Sequence, residues 1–332
     1  VEGALLTAAY WRANLESPVL LSPGLASLAR AGHRHFIELG PHAILLPFLE
    51  ATLTAQGDEP AIVLASQLRD ADGRAAALRA LGRLFTLGAP VRWPAVSPVA
   101  DTPAPLLLPL SARSEEALRA SAGRHRDLLR ARPTSSQDLC FSATFHREHH
   151  DLRLAVAARS RVELADKLDA FAGGELLEGV TSARRSPRAG RAVFVFPGQG
   201  SQWLGMGREM ASEPVFRDAL SRCDAAIRAH ADFSLLDLLF AANDTRALEP
   251  VDVVQPALFA MQVAISELWR SWGIEPAVVV GHSMGEIAAA HVAGALSLDD
   301  AARIICARSR LVRERNPGNG AMALVELSLS EA

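Results

Sequence analysis

The stretch that most constrains the fold is residues 278–286, whose sequence is VVVGHSMGE. An apolar run of strand length leads straight into the pattern G-x-S-x-G, and an alanine-rich helical stretch, residues 287–293, follows. This is the sequence form of a nucleophile elbow, a sharp turn between a strand and a helix that presents a serine hydroxyl. The helix start behind the serine favours developing negative charge. The pattern predicts that Ser283 is a nucleophile; the alternative is an ordinary strand-to-helix turn.

Composition narrows the class of protein. A chain of 332 residues is long enough for about two domains, and 49% hydrophobic residues predict a globular fold. The net charge of −3 gives no electrostatic reason to expect binding to nucleic acid or to a membrane surface. The most apolar stretch, residues 277–298, is interrupted by ionisable residues and does not predict a membrane span. The cysteines form no C-x-x-C pair and predict reduced, buried thiols in a cytoplasmic protein; they are Cys140, Cys223 and Cys306.

Strand and helix patterns, with the breaker residues between them, divide the chain into four parts. In the first part, strands near residues 35–39 and 61–65 alternate with helices, which indicates a parallel sheet covered by helices. Two strands are too few for a sheet of their own. The parts are an α/β segment at 1–93, a proline-rich linker at 94–105, a small α/β unit at 106–190, and a segment with the elbow at 191–332.

The last two parts contain the remaining predicted strands. In the small unit they lie near 106–110, 152–158 and 176–180. The segment 191–332 begins with a buried strand near 192–196, helices are predicted near 213–231 and 255–272, the second beginning at Gln255, and residues 322–327 predict a further strand. Because the chain also begins at Val1 without a methionine, we expect a segment of a longer protein.

Three histidines, His146, His149 and His150, cluster in a polar turn of the small unit. No cysteine or carboxylate pattern completes a closed metal site around them. We interpret the cluster as a solvated loop rather than as a metal centre, and we predict no metal ion for the chain.

A serine nucleophile in acyl transfer needs an oxyanion hole and a general base. The hole is available from the backbone amide of Met284, at the helix start, and from that of Gln199, in the glycine-rich turn 197–203. Turns at the carboxyl ends of neighbouring parallel strands converge on one crevice, so the two amides are able to face each other. The alternative for residues 198–200 is a simple tight turn. No G-K-[ST] follows it, which excludes a phosphate loop.

An arginine is well placed for binding, whereas no histidine is well placed as a base. Arg308 lies 25 residues after Ser283, and its guanidinium suits a bidentate grip on a free carboxylate such as that of a malonyl group. The alternative for Arg308 is a surface charge. His282 adjoins the nucleophile but points off the elbow, so we interpret it as structural. His291 and His42 also lack the placement that a base needs.

Three motifs now resemble a known family. They are VFPGQGSQW at 195–203, GHSMGE at 281–286, and Arg308-Ser309. In this order and spacing they resemble the N-terminal half of an acyltransferase domain of a modular type I polyketide synthase. The resemblance implies a parallel-sheet, α/β-hydrolase-like core, with Ser283 carrying the acyl group and Arg308 binding its carboxylate.

The same resemblance implies further site residues. The backbone amides of Gln199 and Met284 would form the oxyanion hole, and Gln255 and His282 would line the substrate pocket. The run VDVVQ at 251–255 is similar to a signature of methylmalonyl selectivity, from which Pro250 and Met284 depart.

The beginning of the chain resembles the end of the same domain. Residues 10–19 and 36–42 match its C-terminal part, 84–93 resembles the post-acyltransferase linker, and 106–185 resembles the linker between ketosynthase and acyltransferase. The order is therefore tail, linker, head, as in tandem acyltransferases or a permuted domain. The middle of the domain, with its general-base histidine, is missing from this order.

The two halves together supply four strands of one sheet. We expect them to close into a permuted core in which Phe36 and Ile37 are buried. The alternative is two half-domains that each expose an unpaired strand edge.

By resemblance, the function is to load a malonyl-type extender, with methylmalonyl as a candidate, from a coenzyme A thioester onto an acyl carrier protein. The acyl group would pass through an ester on Ser283 to the phosphopantetheine arm of the carrier protein, without a bound cofactor. The other expected partners are the neighbouring ketosynthase and acyltransferase domains of the same polypeptide. Because the base is missing, we expect slow acylation at best and no turnover. The alternatives are an α/β serine hydrolase and a non-catalytic linker or docking segment.

Overall fold

The structure is a computed structural model, and it describes residues 5–55, 61–69, 71–96, 105–131, 135–186, 192–240 and 245–315. Its strands are β1 (His35–Glu38), β2 (Ile62–Ala65), β3 (Leu106–Ala112), β4 (Leu152–Ala158), β5 (Val180–Arg184), β6 (Ala192–Phe196) and β7 (Pro276–Gly281). The helices before β6 are α1 (Ala8–Glu16), α2 (Leu21–Arg30), α3 (Leu46–Thr54), α4 (Gly73–Leu87), α5 (Trp93–Val96), α6 (Glu115–Ala131), α7 (Ser136–Phe145) and α8 (Arg161–Gly173). Those after β6 are α9 (Pro214–Arg228), α10 (Leu235–Phe240), α11 (Val251–Ser271), α12 (Gly285–Val292) and α13 (Leu298–Arg315).

A parallel sheet joins the first and last parts of the chain. Its strand order is β2-β1-β6-β7, so β1 lies between β2 and β6. Phe36 is aligned with Val63 on one side and with Val193 on the other. Phe36 and Ile37 are both 0% exposed. The expected closure into one core is therefore confirmed, and the alternative of two separate half-domains is wrong.

The carboxyl ends of these strands lie at one edge of the sheet. All the pairings are parallel, and at this edge β1 ends at Glu38, β6 at Phe196 and β7 at Gly281. Every residue of β6 is apolar and buried, as expected for a strand covered on both faces. Open parallel sheets bind ligands in the crevice at the carboxyl ends of their strands. The fold thus brings the elbow, the turn after β6 and the end of β1 together.

Helix α11 is a central element of the core. Leu258, Phe259 and Met261 on this helix are 0% exposed. By length and composition alone α11 could cross a membrane, but 78% of its apolar stretch is buried inside the fold, as in the core helix of a globular domain. It begins one turn before the predicted start at Gln255, because Pro250 directly precedes its first residue, where no N–H donor is needed.

The small unit is an antiparallel sheet with the order β3-β4-β5, packed against α6 and α8. Helix α4 of the first segment packs on its other side, against β4 and β5. The contact is close: a Cβ added to Gly82 would lie 3.0 Å from the Cβ of Ala155. The guanidinium of Arg153 lies 4.8 Å from the ring centre of Phe85, which adds a cation–π contact. The small unit is therefore fixed to the first segment.

Two predicted boundaries need correction. The strand predicted at 176–180 is found four residues later, as β5, because Gly174 (φ +98°) caps the C-terminus of α8 and the chain turns again at Gly179 (φ +81°). The apolar pair at 176–177 lies in this connection, with Leu176 61% exposed. The predicted linker at 94–105 begins with α5, whose Trp93 and Val96 are buried. Residues 97–104 and the strand predicted at 322–327 lie outside the described residues.

Glu38, at the end of β1, makes stability depend on pH. It is 1% exposed, and its carboxylate accepts hydrogen bonds from the amides of Ile44 (2.8 Å) and Leu45 (3.0 Å). Burial raises the pKa of Glu38 from 4.5 to about 7, although these hydrogen bonds oppose the shift. A carboxyl with a raised pKa in the folded state stabilises the fold fully below its unfolded pKa, and this contribution is lost as the pH rises through the folded pKa.

We expect the free energy of unfolding to fall by up to about 3 kcal/mol between pH 4.5 and pH 8 because of Glu38, and the Glu38→Gln variant to lack this component. Urea denaturation of both proteins at several pH values measures the difference. Glu50→Gln, on the exposed surface of α3, is the matched control and should leave the pH dependence unchanged. Parallel curves for the wild type and Glu38→Gln would contradict the prediction.

Candidate active site

The turn after β7 has the backbone geometry of a nucleophile elbow. Ser283 has a φ of +55°, and no other non-glycine residue in the described ranges has a positive φ. A Cβ on Gly281 would lie 2.2 Å from the Cα of Glu286, and a Cβ on Gly285 would lie 2.2 Å from the carbonyl oxygen of Phe196. The predicted elbow is therefore present, and both of its glycines are sterically required.

Hydrogen bonds join the elbow to the turn after β6. The amide of His282 donates to the carbonyl oxygen of Phe196 (2.9 Å), and Nε2 of Gln262, on α11, donates to that of Pro197 (2.7 Å). The backbone amides of Gln199 and Met284 donate to no other residue within the described ranges. The turn 197–200 thus lies against the elbow. The amide of Gln199 in this turn and the amide of Met284 in the elbow are free to donate to a bound oxygen atom.

Arg308 is a buried cation held by neutral groups. It is 8% exposed; Nη1 donates to Oε1 of Gln255 (2.7 Å) and Nη2 donates to the hydroxyl of Ser283 (3.2 Å). Among the described residues no carboxylate forms an ion pair with it, and its Nε has no hydrogen-bond partner. Burial lowers the pKa of Arg308, and the charge of Glu286 opposes this shift. A buried guanidinium that contacts the nucleophile but no carboxylate among the described residues suits an anionic ligand.

Gln255 connects Arg308 to the turn after β6. Its Oε1 accepts from Arg308, and its Nε2 donates to Oε1 of Gln199 (3.2 Å). The side chain is buried near the start of α11. The structure therefore brings together Ser283, Arg308, Gln255 and Gln199, which the sequence places up to 109 residues apart.

The first segment supplies two site residues that the sequence analysis did not identify. Nδ2 of Asn14 donates to the carbonyl oxygen of Ser283 (3.3 Å), and its Oδ1 accepts from Nη2 of Arg308 at 3.5 Å. The hydroxyl of Tyr10 donates to Oε2 of Glu286 (2.5 Å). Burial, with the neighbouring Glu286 carboxylate, raises the pKa of Tyr10 to about 12. Both residues lie on α1, within residues 10–19, which resemble the end of the domain. This resemblance was the sequence feature that could have identified them as site residues.

The structure agrees with a structural interpretation of His282. A Cβ on Gly198 would lie 2.9 Å from Nδ1 of His282, so the ring lies against the turn after β6. Nδ1 is buried and has no hydrogen-bond partner among the described residues. Burial lowers the pKa of His282, which favours the neutral ring at pH 7. The ring forms no hydrogen bond with the hydroxyl of Ser283, and the pocket role that the resemblance implies for His282 stays a prediction.

No described histidine hydrogen-bonds the hydroxyl of Ser283, which within these residues accepts from Arg308. Nδ1 of His42 accepts from the amide of Arg69 (3.2 Å), and Nδ1 of His291 lies 3.1 Å from the carbonyl oxygen of Leu296. Both rings are therefore engaged elsewhere, as the sequence analysis expected. Acid–base catalysis at Ser283 has no histidine partner in the described part of the chain.

The histidine cluster of the small unit differs in part from the prediction. His146 is exposed, as expected for a solvated loop, but His149 is half-buried against the rings of Phe85 and Trp93, at centroid distances of 5.0 and 5.9 Å. The aromatic rings come from α4 and α5, so the sequence of the loop could not reveal them. Within the described ranges, no group of three or more potential metal-ligating residues is present.

Two protein families match parts of the chain. The acyl transferase domain family matches residues 193–332, and the "CurL-like, PKS C-terminal" family matches residues 106–168. Spectinabilin polyketide synthase system protein NorA of Streptomyces orinoci is 47% identical over 232 residues, which are 69% of this chain and 12% of NorA. The chain therefore spans only a small part of the curated relatives that it matches.

Solved structures show a similar fold. The acyltransferase domain from module 8 of the salinomycin polyketide synthase is 41% identical, with a TM-score of 0.58 over 63% of this chain and 50% of that domain. The acyltransferase domain of SpnD, in complex with 2-(pent-4-yn-1-yl)malonyl, is 29% identical, with a TM-score of 0.53 over 63% of this chain and 49% of that one. With its elbow, its parallel sheet and these similarities, the chain belongs to the acyltransferase family of modular type I polyketide synthases.

Proposed function

We propose that Ser283 takes a malonyl-type acyl group from a coenzyme A thioester, and that the longer parent protein passes this group to an acyl carrier protein. The observation that carries the proposal is the guanidinium of Arg308, which is buried, lacks a carboxylate partner among the described residues and lies 3.2 Å from the hydroxyl of Ser283. Taking a cation out of water is unfavourable unless an anion compensates it. The free carboxylate of a malonyl group is such an anion, and a single carbon atom separates it from the thioester carbonyl carbon that Ser283 would attack.

The chemistry follows from the site. Oγ of Ser283 attacks the thioester carbonyl carbon, and the amides of Gln199 and Met284 donate to the oxygen as it becomes negative. Collapse of the tetrahedral intermediate breaks the carbon–sulfur bond and releases coenzyme A, leaving the acyl-serine ester. In the second half-reaction the phosphopantetheine thiol of a carrier protein attacks this ester and regenerates the serine, which makes the sequence ping-pong. In each half-reaction the proton of the attacking group ends on the leaving group, first on the sulfur of coenzyme A and then on Oγ of Ser283, and no described histidine is placed to transfer it.

The choice of extender belongs to this proposal. The acyltransferase domain of SpnD, whose structure is of a complex with 2-(pent-4-yn-1-yl)malonyl, has a similar fold, which supports a substituted malonyl group. The run 251–255, whose last residue is Gln255, forms the start of α11 beside Arg308, and its sequence resembles a methylmalonyl signature. We propose methylmalonyl as the candidate substituted extender. Neighbouring ketosynthase and acyltransferase domains are the proposed partners in the parent protein, together with the carrier protein. A cytoplasmic location fits the three cysteines, which are all free and buried.

The two alternatives make different demands on the site. A serine hydrolase needs the same kind of general base as an acyltransferase, so the lack of a described histidine on Ser283 does not separate the two functions. A hydrolase of neutral esters, however, has no use for a buried cation beside the nucleophile. A non-catalytic docking segment has no need for a strained serine between two crowded glycines. Both features favour acyl transfer with an acidic acyl group.

The experiment is intact-protein mass spectrometry after incubation with malonyl- or methylmalonyl-coenzyme A, with and without added imidazole. We expect at most one acyl group per chain, formed slowly, and at least about tenfold faster acylation when imidazole replaces the absent base. Ser283→Ala, the matched control, should remain unlabelled under all conditions. A folded protein that stays unlabelled with imidazole would contradict the proposal and support the docking alternative, whereas release of free acid would support the hydrolase.

A further inference from the structure

A second cavity lies in the small unit, apart from the candidate active site. Its volume is about 660 Å³, and it is bounded by α6, the end of β3 and the loop that follows α7. This loop carries the histidine cluster, which the proposed acyl transfer does not use. None of the residues around Ser283 lines the cavity.

The cavity has a strong excess of positively charged and nitrogen-bearing side chains. Arg113, Arg124 and Arg147 line it, and none of the three forms an ion pair within the described ranges. Glu148 is the one carboxylate in the lining, although the chain as a whole has a net charge of −3. Four of the ten histidines of the sequence also line it: His125, His146, His149 and His150. Positive charge therefore exceeds negative charge at this cavity, in contrast to the chain as a whole, and the three exposed arginines are accessible to a ligand.

Two of these arginines act electrostatically on the same side chain, the imidazole of His125. Burial lowers the pKa of His125, a hydrogen bond with the carbonyl oxygen of Ser121 opposes this, and the charges of Arg147 and Arg124 lower the pKa further. Arg124 lies on α6 and Arg147 on the loop after α7. Two separate elements thus direct positive charge toward the same part of the cavity.

The loop that carries Arg147 is held in place. Oγ of Ser111 on β3 accepts from the amide of His150 (2.9 Å) and donates to the carbonyl oxygen of Glu148 (3.0 Å). The ring of His149 packs edge-on against Phe85. These contacts fix the backbone on the side of Arg147 that faces β3, so the cavity wall is formed before any ligand binds.

This chemistry selects a class of ligand. Unpaired guanidinium groups repel metal cations and bind phosphate and carboxylate oxygens through two donors at once. A concave site of several hundred cubic ångströms suits a small organic molecule better than a flat protein surface. We propose that this cavity binds a small phosphate ester or diphosphate, held by Arg113, Arg124 and Arg147.

The test is isothermal titration calorimetry of the whole chain with inorganic pyrophosphate at constant ionic strength. We expect Arg124→Ala/Arg147→Ala to weaken binding at least about tenfold, because both charge-assisted contacts are lost. Arg30→Ala/Arg184→Ala removes the same charge from exposed positions outside the cavity and should change binding less than about twofold. Arg308→Ala removes the arginine of the candidate active site and should also leave binding unchanged.

Further probes distinguish the source of the phosphate. Tighter binding of adenosine 3′,5′-bisphosphate than of pyrophosphate would support a nucleotide-type ligand, and tighter binding of 4′-phosphopantetheine would support the arm of a carrier protein. No binding of any of the three to the folded chain would overturn the proposal. Equal loss in the control pair, loss in Arg308→Ala, or preference for polyglutamate over every phosphate would overturn it as well, since these results indicate unspecific charge, the active site or a protein surface.

Discussion

Replacing Gly285 by alanine is expected to destabilise the fold by more than about 4 kcal/mol and to abolish labelling of Ser283. The new Cβ would lie 2.2 Å from the carbonyl oxygen of Phe196 and 2.6 Å from that of Pro197. Both obstacles are backbone atoms, one at the end of β6 and one in the turn after it, so no side-chain rotation relieves the clash. The elbow and that turn would have to separate, which moves Ser283 away from the amide of Gln199. Denaturant midpoints and intact-protein mass spectrometry measure the two effects.

The matched control is Gly123→Ala, in the middle of α6. There the nearest atom to an added Cβ is Nη2 of Arg126 at 3.9 Å, so the methyl group fits. Because alanine is the better helix former, this variant should be more stable by up to about 1 kcal/mol. A Gly285→Ala variant with the denaturant midpoint of the wild type would show that the elbow is not closed as described.

The sequence is sufficient to predict the parallel core. The runs that became β2, β6 and β7 are short, largely apolar and bounded by breakers, as is typical of strands in a parallel sheet, whereas β1 has apolar residues only between His35 and Glu38. The glycines at 281 and 285 reveal the elbow through the pattern G-x-S-x-G. The crowding of Gly281 by Glu286 is local, whereas the crowding of Gly285 by Phe196 and Pro197 arises only in the folded chain. The pairing of β1 with β6 followed from counting strands in the two halves, since neither half alone completes a sheet.

The sequence does not reveal contacts between residues that lie far apart along the chain. The side-chain amide of Asn14 contacts Ser283, which lies 269 residues away in the sequence. Within its own helix this side chain has no hydrogen-bond partner that would mark Asn14 as a site residue. The half-buried state of His149 depends on Phe85 and Trp93, which approach only when the small unit packs on α4. The prediction of a strand at Leu176 was wrong because the two glycines with positive φ on either side of it, and not its own β propensity, determine the course of the backbone there.

The residues of the candidate site come from both ends of the chain. Asn14 and Tyr10 come from the first segment, whereas Ser283, Arg308 and Gln255 come from the last. The small unit lies between them in sequence and packs on α4 of the first segment. Closure of the sheet therefore assembles the candidate site from both ends of the chain, and any event that separates β1 from β6 also takes Asn14 away from Arg308.

Replacing Arg308 by methionine is expected to lower the rate of acylation by malonyl-coenzyme A at least about a hundredfold, while acylation by acetyl-coenzyme A changes little. The carboxylate of malonyl would lose its cation, whereas an acetyl group has no charge to bind. Both rates are obtained by intact-protein mass spectrometry in the presence of imidazole. Equal losses with the two donors would mean that Arg308 acts on Ser283 itself, through the 3.2 Å hydrogen bond to its hydroxyl, and not on the acyl group.

The same substitution should stabilise the ligand-free fold by about 1 kcal/mol or more, since apolar residues often replace buried ionic groups without loss. Burial already lowers the pKa of Arg308, which reports the unfavourable transfer of its charge from water. Arg313→Met is the matched control, because Arg313 lies on the exposed side of α13 and pairs with Asp252 at 2.7 Å. It should change the midpoint little. A lower midpoint for Arg308→Met would show that Gln255, Asn14 and Ser283 compensate the cation fully. In that case the site would have no unmet need for an anionic acyl group, and the argument for a malonyl-type substrate would fail with it.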